Sequence, residues 1–159
     1  MNNTVALFNA DEGEGYGFEA DIEALITPDF LITAGLSYNH TEILDDVLIA
    51  PGCGAPCSVL DPSVFQTIDG SLIQVSADDL GQFLPPPMST FLGYNISGNS
   101  FPNAPEWIAD VTARYGVPVG NAGEIFAFTD WAYQGKTNIF IYESAEFNTN
   151  NQIEGGLRV

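Results

Sequence analysis

Positive charge is almost missing from this chain. Three lysines and arginines stand against 21 aspartates and glutamates, a formal net charge of −18, and there is a single histidine, His40. Such a chain repels nucleic acid and anionic headgroups, because phosphate recognition needs clustered cations. There is no apolar run of roughly 18 residues, so no transmembrane helix is expected. Nor does the start, Met1-Asn2-Asn3-Thr4-Val5, carry the basic segment and apolar run of a signal peptide. Any export signal is therefore expected to lie outside this chain. No Ser-His-Asp order and no phosphate loop is present, so catalysis, a cofactor and a resident metal are not expected.

Cysteine is nearly as scarce. Cys53 and Cys57 sit in Gly-Cys-Gly-Ala-Pro-Cys, where glycine and proline can turn the chain into a small local disulfide. A free pair and a metal site are the alternatives, though two thiolates and one histidine make a poor zinc set. A disulfide would imply an oxidising compartment. The triplets beginning at Asn2, Asn39 and Asn95 match glycosylation sequons.

What the chain does have is alternation. At 159 residues it can bury a core as one domain, and with 45% hydrophobic residues disorder throughout is excluded. From Tyr16 the alternate residues Tyr16, Phe18, Ala20, Ile22, Ala24 and Ile26 are apolar, while Glu19, Asp21 and Glu23 occupy the opposite phase. The chain turns at Thr27-Pro28-Asp29 and returns with Phe30, Ile32, Ala34, Leu36 and Tyr38 against Leu31, Thr33, Gly35, Ser37 and Asn39. Successive strand side chains point to opposite faces, so this is a long β-hairpin with one apolar and one acidic face. Strands of soluble domains average about five or six residues, whereas membrane-crossing strands need roughly 9–11. A long hairpin of a β-sandwich, its apolar face in a core, is the other way to read the pattern.

Periodicity then fails from 43 to 104, where proline, glycine, aspartate and serine recur. Within this stretch a short helix is expected to start at Ser76 and end at Pro85-Pro86-Pro87, and a small hairpin is expected around Asp69-Gly70. Alternation resumes at Trp107, Ala109, Val111, Ala113 and Tyr115. It continues past a turn at 119–123 into a strand whose charges Glu124, Asp130 and Lys136 share one phase. A last strand is expected over 152–159. The strands thus fall at about 16–26, 30–42, 106–118, 124–138 and 152–159, and Thr4–Phe8 could end another. Short turns alternate with long loops, as in outer-membrane barrels.

Three pieces carry a family resemblance. Gly15-Tyr-Gly-Phe-Glu-Ala-Asp-Ile-Glu23 with Thr27-Pro-Asp-Phe-Leu-Ile-Thr-Ala-Gly-Leu-Ser-Tyr38 resembles a hairpin of the TonB-dependent outer-membrane receptors. So do Phe101-Pro-Asn-Ala-Pro-Glu-Trp107 leading into Asp110-Val-Thr-Ala-Arg-Tyr115, and Asp130-Trp-Ala-Tyr-Gln-Gly135. The resemblance covers most of 9–42 and 101–159. It implies an all-β antiparallel meander of long transmembrane strands, an open segment of a barrel of about 22 strands, located in the bacterial outer membrane. Residues 43–104 would form a long extracellular loop. The whole protein would take up a scarce nutrient such as a ferric siderophore, energised by the TonB complex acting through a plug domain. That plug, a partner-binding box and a terminal strand ending in an aromatic are all missing from the chain, which would make it an internal piece of the barrel.

On this reading the partners are outer-membrane lipid, the rest of the barrel and its plug, the TonB complex and a small ligand of unknown identity. Glu19, Asp21, Glu23, Asp110, Arg114 and Asp130 would face the lumen. Tyr16, Tyr38, Trp107, Tyr115, Trp131 and Tyr133 would form aromatic girdles. A secreted all-β adhesion or binding module and a passive porin-like barrel are the alternatives. The stacked carboxylates Glu19, Asp21 and Glu23 could serve as an acid–base pair, though a solvated face accounts for them as well. Asp45-Asp46 and Asp78-Asp79 could hold calcium, without the spaced ligands that such loops use.

Overall fold

The computed structural model describes residues 9–53, 57–80 and 89–159. In chain order the strands are β1 (Gly13–Thr27), β2 (Phe30–Ile43), β3 (Ile49–Ala50), β4 (Ser63–Thr67), β5 (Leu72–Val75), β6 (Ser89–Asn95), β7 (Trp107–Pro118), β8 (Glu124–Gln134), β9 (Thr137–Asn138), β10 (Asn148–Thr149) and β11 (Gln152–Arg158). They form three sheets, ordered β1-β2-β7-β8-β11, β3-β6-β4-β5 and β10-β9. The chain divides into two compact units. One holds Thr41–Ala104 and Asn138–Asn148 with the stretch up to Gly15. The other holds Tyr16–His40, Pro105–Thr137 and Thr149–Val159.

The second unit is the five-stranded sheet. Pro28 and Asp29 form the turn between β1 and β2. Between β7 and β8 the chain makes a 3-10 turn, Gly120–Ala122, whose ends are set by Gly120 at φ 53° and Gly123 at φ 116°. Both values lie where a side chain is strained and glycine is not. The antiparallel register joins Gly35 to Asp110, Asp110 to Ala132 and Ala132 to Glu154, and in the next row of the other face Ala34, Val111, Trp131 and Gly155. The expected strand 124–138 is interrupted at Gly135-Lys136, with β8 ending at Gln134 and β9 starting at Thr137.

The first unit shows what lies between 43 and 104. The stretch expected to be one long extracellular loop contains β3, β4, β5 and β6, which pair into a sheet of their own. These strands are two to seven residues long, too short for alternation to stand out among the turns. The hairpin expected around Asp69-Gly70 is present as β4 and β5, with Gly70 at φ 89°. Leu92 is the extra residue of a bulge between Val64↔Gly93 and Phe65↔Phe91. After Ser76 the chain makes a turn over 77–79, closed by the Asp79 N–H bonding the Ser76 carbonyl at 3.1 Å. The rest of the helix expected there, 81–87, lies outside the described residues, as does Thr4–Phe8.

All five buried apolar side chains among the described residues, Ile43, Ala50, Val59, Val64 and Ile96, belong to this first unit. Ile43, Ala50 and Ile96 form a cluster, with Leu48, Ile141 and Tyr142 packed against it. The five-stranded unit contributes none.

The outer-membrane barrel is therefore corrected. The long strands form an open sheet with β1 and β11 as separate edges, and the other strands sit in two further open sheets. Among the described residues no sheet closes on itself, so neither a receptor-type nor a porin-like barrel is built. The partners tied to that barrel (outer-membrane lipid, the remaining barrel and plug, the TonB complex), its transport role and its outer-membrane location fall with it. The error has a physical origin: a two-residue period reports that a strand has two unlike faces, and not which medium meets them.

Candidate functional site

The register sorts the five-stranded sheet into two surfaces. Glu19, Asp21, Glu23, Asp110, Arg114, Asp130, Glu154 and Arg158 all fall on one face by strand alternation and cross-strand pairing. Gly35 sits between Asp110 and Asp21. A Cβ there would lie 2.5 Å and 3.1 Å from their Oδ1 atoms, so glycine leaves room for two carboxylates. Asp21, Glu23, Thr33, Gly35 and Asp110 line a shallow groove of about 350 Å³. Thr33 and Thr112 bond through their hydroxyls across β2 and β7. Arg114 pairs with Glu124 and lies over the Phe126 ring at 5.3 Å, and Arg158 lies over Phe128 at 5.8 Å. Those cation–π contacts explain why two phenylalanines occupy the charged face.

The opposite face is mainly apolar across all five strands, with Thr129 within it and Glu14, His40 and Glu42 at one end of β1 and β2. At one end Tyr38 centres an aromatic cluster, its ring centroid 4.7 Å from Trp107, 5.8 Å from Phe18 and 6.4 Å from Tyr16. His40 extends the cluster by lying 4.8 Å from Tyr16. Desolvation raises the Tyr38 phenol above its ordinary range, and the charges of Tyr16 and Glu106 add to this. Tyr115 meets Phe30 at the far end, 6.1 Å between centroids. Trp131 pairs with Val111 and Gly155 in the middle of the strands, and Tyr133 with Ala109 and Ile153. The structure thus gathers Tyr16, Tyr38 and Trp107 and leaves Tyr115, Trp131 and Tyr133 apart. Phe18 and His40 belong to the gathered group and follow from the same alternation.

Among the described residues much of this face is open to solvent. Ile22 is 66% exposed, Trp131 51% and Leu157 75%. An exposed apolar patch beyond a few hundred Å² marks an interaction surface in a stable protein. Five strands of 7 to 15 residues, at about 4.8 Å spacing and on average about 11 residues of 3.3 Å rise, give a face of roughly 24 by 36 Å.

In the first unit the polar groups serve the fold. Cys53 and Cys57 are joined as a disulfide, their Cα atoms 6.4 Å apart. Buried Asp61 accepts from Asn99 Nδ2 at 3.0 Å and from the Glu143 N–H at 3.1 Å. Burial pushes its carboxyl above the usual range against the pull of those two donors. Tyr142 donates to the Pro51 carbonyl at 2.6 Å. Asp45 accepts from the Asp11 N–H and Asp79 from the Ser76 hydroxyl, so each acidic pair considered for calcium has a carboxylate engaged within the chain. Asn95 is buried and donates to Gln74 Oε1 at 3.0 Å, which leaves no room for a glycan at that sequon. None of this is periodic, and alternation gives no hint of it.

Glu146 is held by Ser144 Oγ at 2.7 Å, by the Ser58 N–H at 2.9 Å and by Ser58 Oγ at 2.9 Å. These donors lower its pKa from 4.5 to about 2, Ser144 contributing most. A depressed carboxylate stabilises the fold above its unfolded pKa, and the effect is lost as pH falls through the folded value. The Ser58–Glu146 link is therefore expected to weaken between pH 4.5 and about 2. An NMR titration of the Glu146 carboxyl should give a midpoint near the lower figure, and Glu146→Gln should remove the acid dependence of Ser58 amide exchange. A midpoint at the ordinary value would show that the three donors do not hold it.

The fold and this surface define the class: an all-β chain of open antiparallel sheets, one of which presents, among the described residues, a largely exposed apolar face. No family model, no curated protein and no solved structure matches the chain. The resemblance to TonB-dependent receptors rested on strand pieces whose alternation and turn residues many long hairpins share, and it finds no support here.

Proposed function

We propose that this chain is an all-β binding module whose partner-binding surface is the apolar, aromatic-rich face of the five-stranded sheet. The observation that carries the reading is that the apolar side chains of this face are exposed or only half-buried on all five strands, while among the described residues every buried apolar side chain lies in the other unit. A sheet of this kind needs a second layer, because apolar area left in water costs roughly 25 cal/mol per Å². The face offers aromatic rings and aliphatic chains but few polar groups, so binding rather than catalysis is its role. The Cys53–Cys57 disulfide suits a secreted setting.

The test uses Nile red, an uncharged apolar dye, because a net charge of −18 would repel an anionic one. At a dilution where the chain sediments as a monomer, dye fluorescence is expected to rise. The change should be lost when Ile22, Trp131 and Leu157 are replaced together by serine. A monomer that gives no rise while folded would sink the reading.

A further inference from the structure

Resting on that reading, we infer that the partner covering the apolar face is a second copy of this chain, packed face to face as a two-fold β-sandwich. Three observations support this occupant. The first is area. A face of roughly 24 by 36 Å offers about 850 Å² per copy, so two copies bury about 1,700 Å², the standard size of a stable interface.

Charge is the second. Glu19, Asp21, Glu23, Asp110, Asp130 and Glu154 lie on the other face of the sheet, so face-to-face packing keeps them in solvent in both copies, and Glu14 and Glu42, in the apolar phase, sit at one end of β1 and β2 beyond Tyr16 and His40. A chain of net charge −18 can pair with itself only through a surface free of those charges.

Shape is the third. The middle row runs Ala34, Val111, Trp131, Gly155 across β2, β7, β8 and β11. The Trp131 ring leans on Gly155, where an added Cβ would lie 2.4 Å from it. The row therefore has one projecting ring and a low point at Ala34. A two-fold axis running along β7, the central strand, lays Trp131 of each copy over Ala34 of the other. Sandwich sheets pack with their strands within about 30° of one another, which that axis permits. Val111 lies on the axis and meets its own counterpart.

Sedimentation equilibrium of the full chain tests this. The expected species is a dimer of the 17.1 kDa chain. Trp131→Glu should convert it to monomer, and Asp21→Asn on the opposite face should leave it dimeric. Val111→Cys keeps a small side chain at the axis, and a short bifunctional thiol reagent that spans the gap of about 10 Å between packed sheets should cross-link the dimer, an arm that survives even if Trp131→Glu fails to fold. A dimer that neither loses mass with Trp131→Glu nor cross-links through Val111→Cys has its interface elsewhere and overturns the inference. A monomeric chain that brightens Nile red overturns the second copy as occupant and leaves the binding face standing, with a different partner. A monomeric chain that does not brighten it overturns both.

Discussion

Ile96→Ala is expected to destabilise the four-stranded unit by about 2–5 kcal/mol, the range for deleting a buried isoleucine to alanine. Ile96 is 1% exposed and sits with Ile43 and Ala50 at the centre of the cluster, against Leu48, Ile141 and Tyr142. Its backbone is tied as well, the Ile96 N–H donating to the Leu48 carbonyl at 2.9 Å. That bond limits how far the chain can collapse into the space left behind, which places the cost toward the upper part of the range. Urea unfolding of wild type and variant measures it, provided the slope with denaturant is unchanged. The same truncation at Ile22, whose side chain is mostly exposed in the monomer, should change monomer stability by no more than about 0.5 kcal/mol. Equal effects at the two positions would mean that the core does not lie where the burial places it.

The second large effect is expected from Asp61→Ala. Asp61 is 4% exposed and accepts from the Asn99 amide and the Glu143 N–H. Asn99 also donates to the Ile141 carbonyl at 2.9 Å, so the side chain ties Asp61 to the chain around 141–143. Alanine leaves one N–H of Asn99 without an acceptor in a buried place, at about 1–3 kcal/mol, and the N–H of Glu143 without one in a part-buried place, toward the lower end of that range. Relief of the desolvation that the carboxylate suffers offsets part of this, and a net loss of about 2–4 kcal/mol is expected.

The pH dependence has a definite sign. Burial raises the folded carboxyl above 3.8, so over the interval above that value the folded state holds the proton more tightly than the unfolded chain. The Asp61 contribution to stability is fully present below 3.8 and declines as pH rises through the folded value. Asp61→Asn should abolish that decline while keeping the side-chain shape. Stability curves of the two proteins from pH 3 upward, on the order of one-unit steps, separate the cases. Parallel curves would remove the buried carboxylate from the account.

Alternation alone was enough to place the faces of the long strands. Tyr16, Phe18 and Ile22 opposite Glu19, Asp21 and Glu23 need no tertiary information, because the backbone of a strand sends successive side chains to opposite sides. Turn residues located the ends: Pro28-Asp29, and the glycines at 120 and 123, whose positive φ a side chain would strain. The Asp69-Gly70 hairpin was legible for the same reason.

Tertiary structure decided the rest. Whether an apolar face meets lipid, a core or another chain depends on how many strands join and whether the sheet closes, and a local period carries no count of strands. Strands of two to seven residues between Ile49 and Asn95 are too short to show a period, so their sheet exists only through pairings such as Ile49 with Asn95 and Ser63 with Tyr94. Asp61, Asn99 and Glu143 lie 38 and 82 positions apart along the chain. Only the folded backbone could bring them together, because each bond depends on a distance in space that no spacing in the sequence encodes.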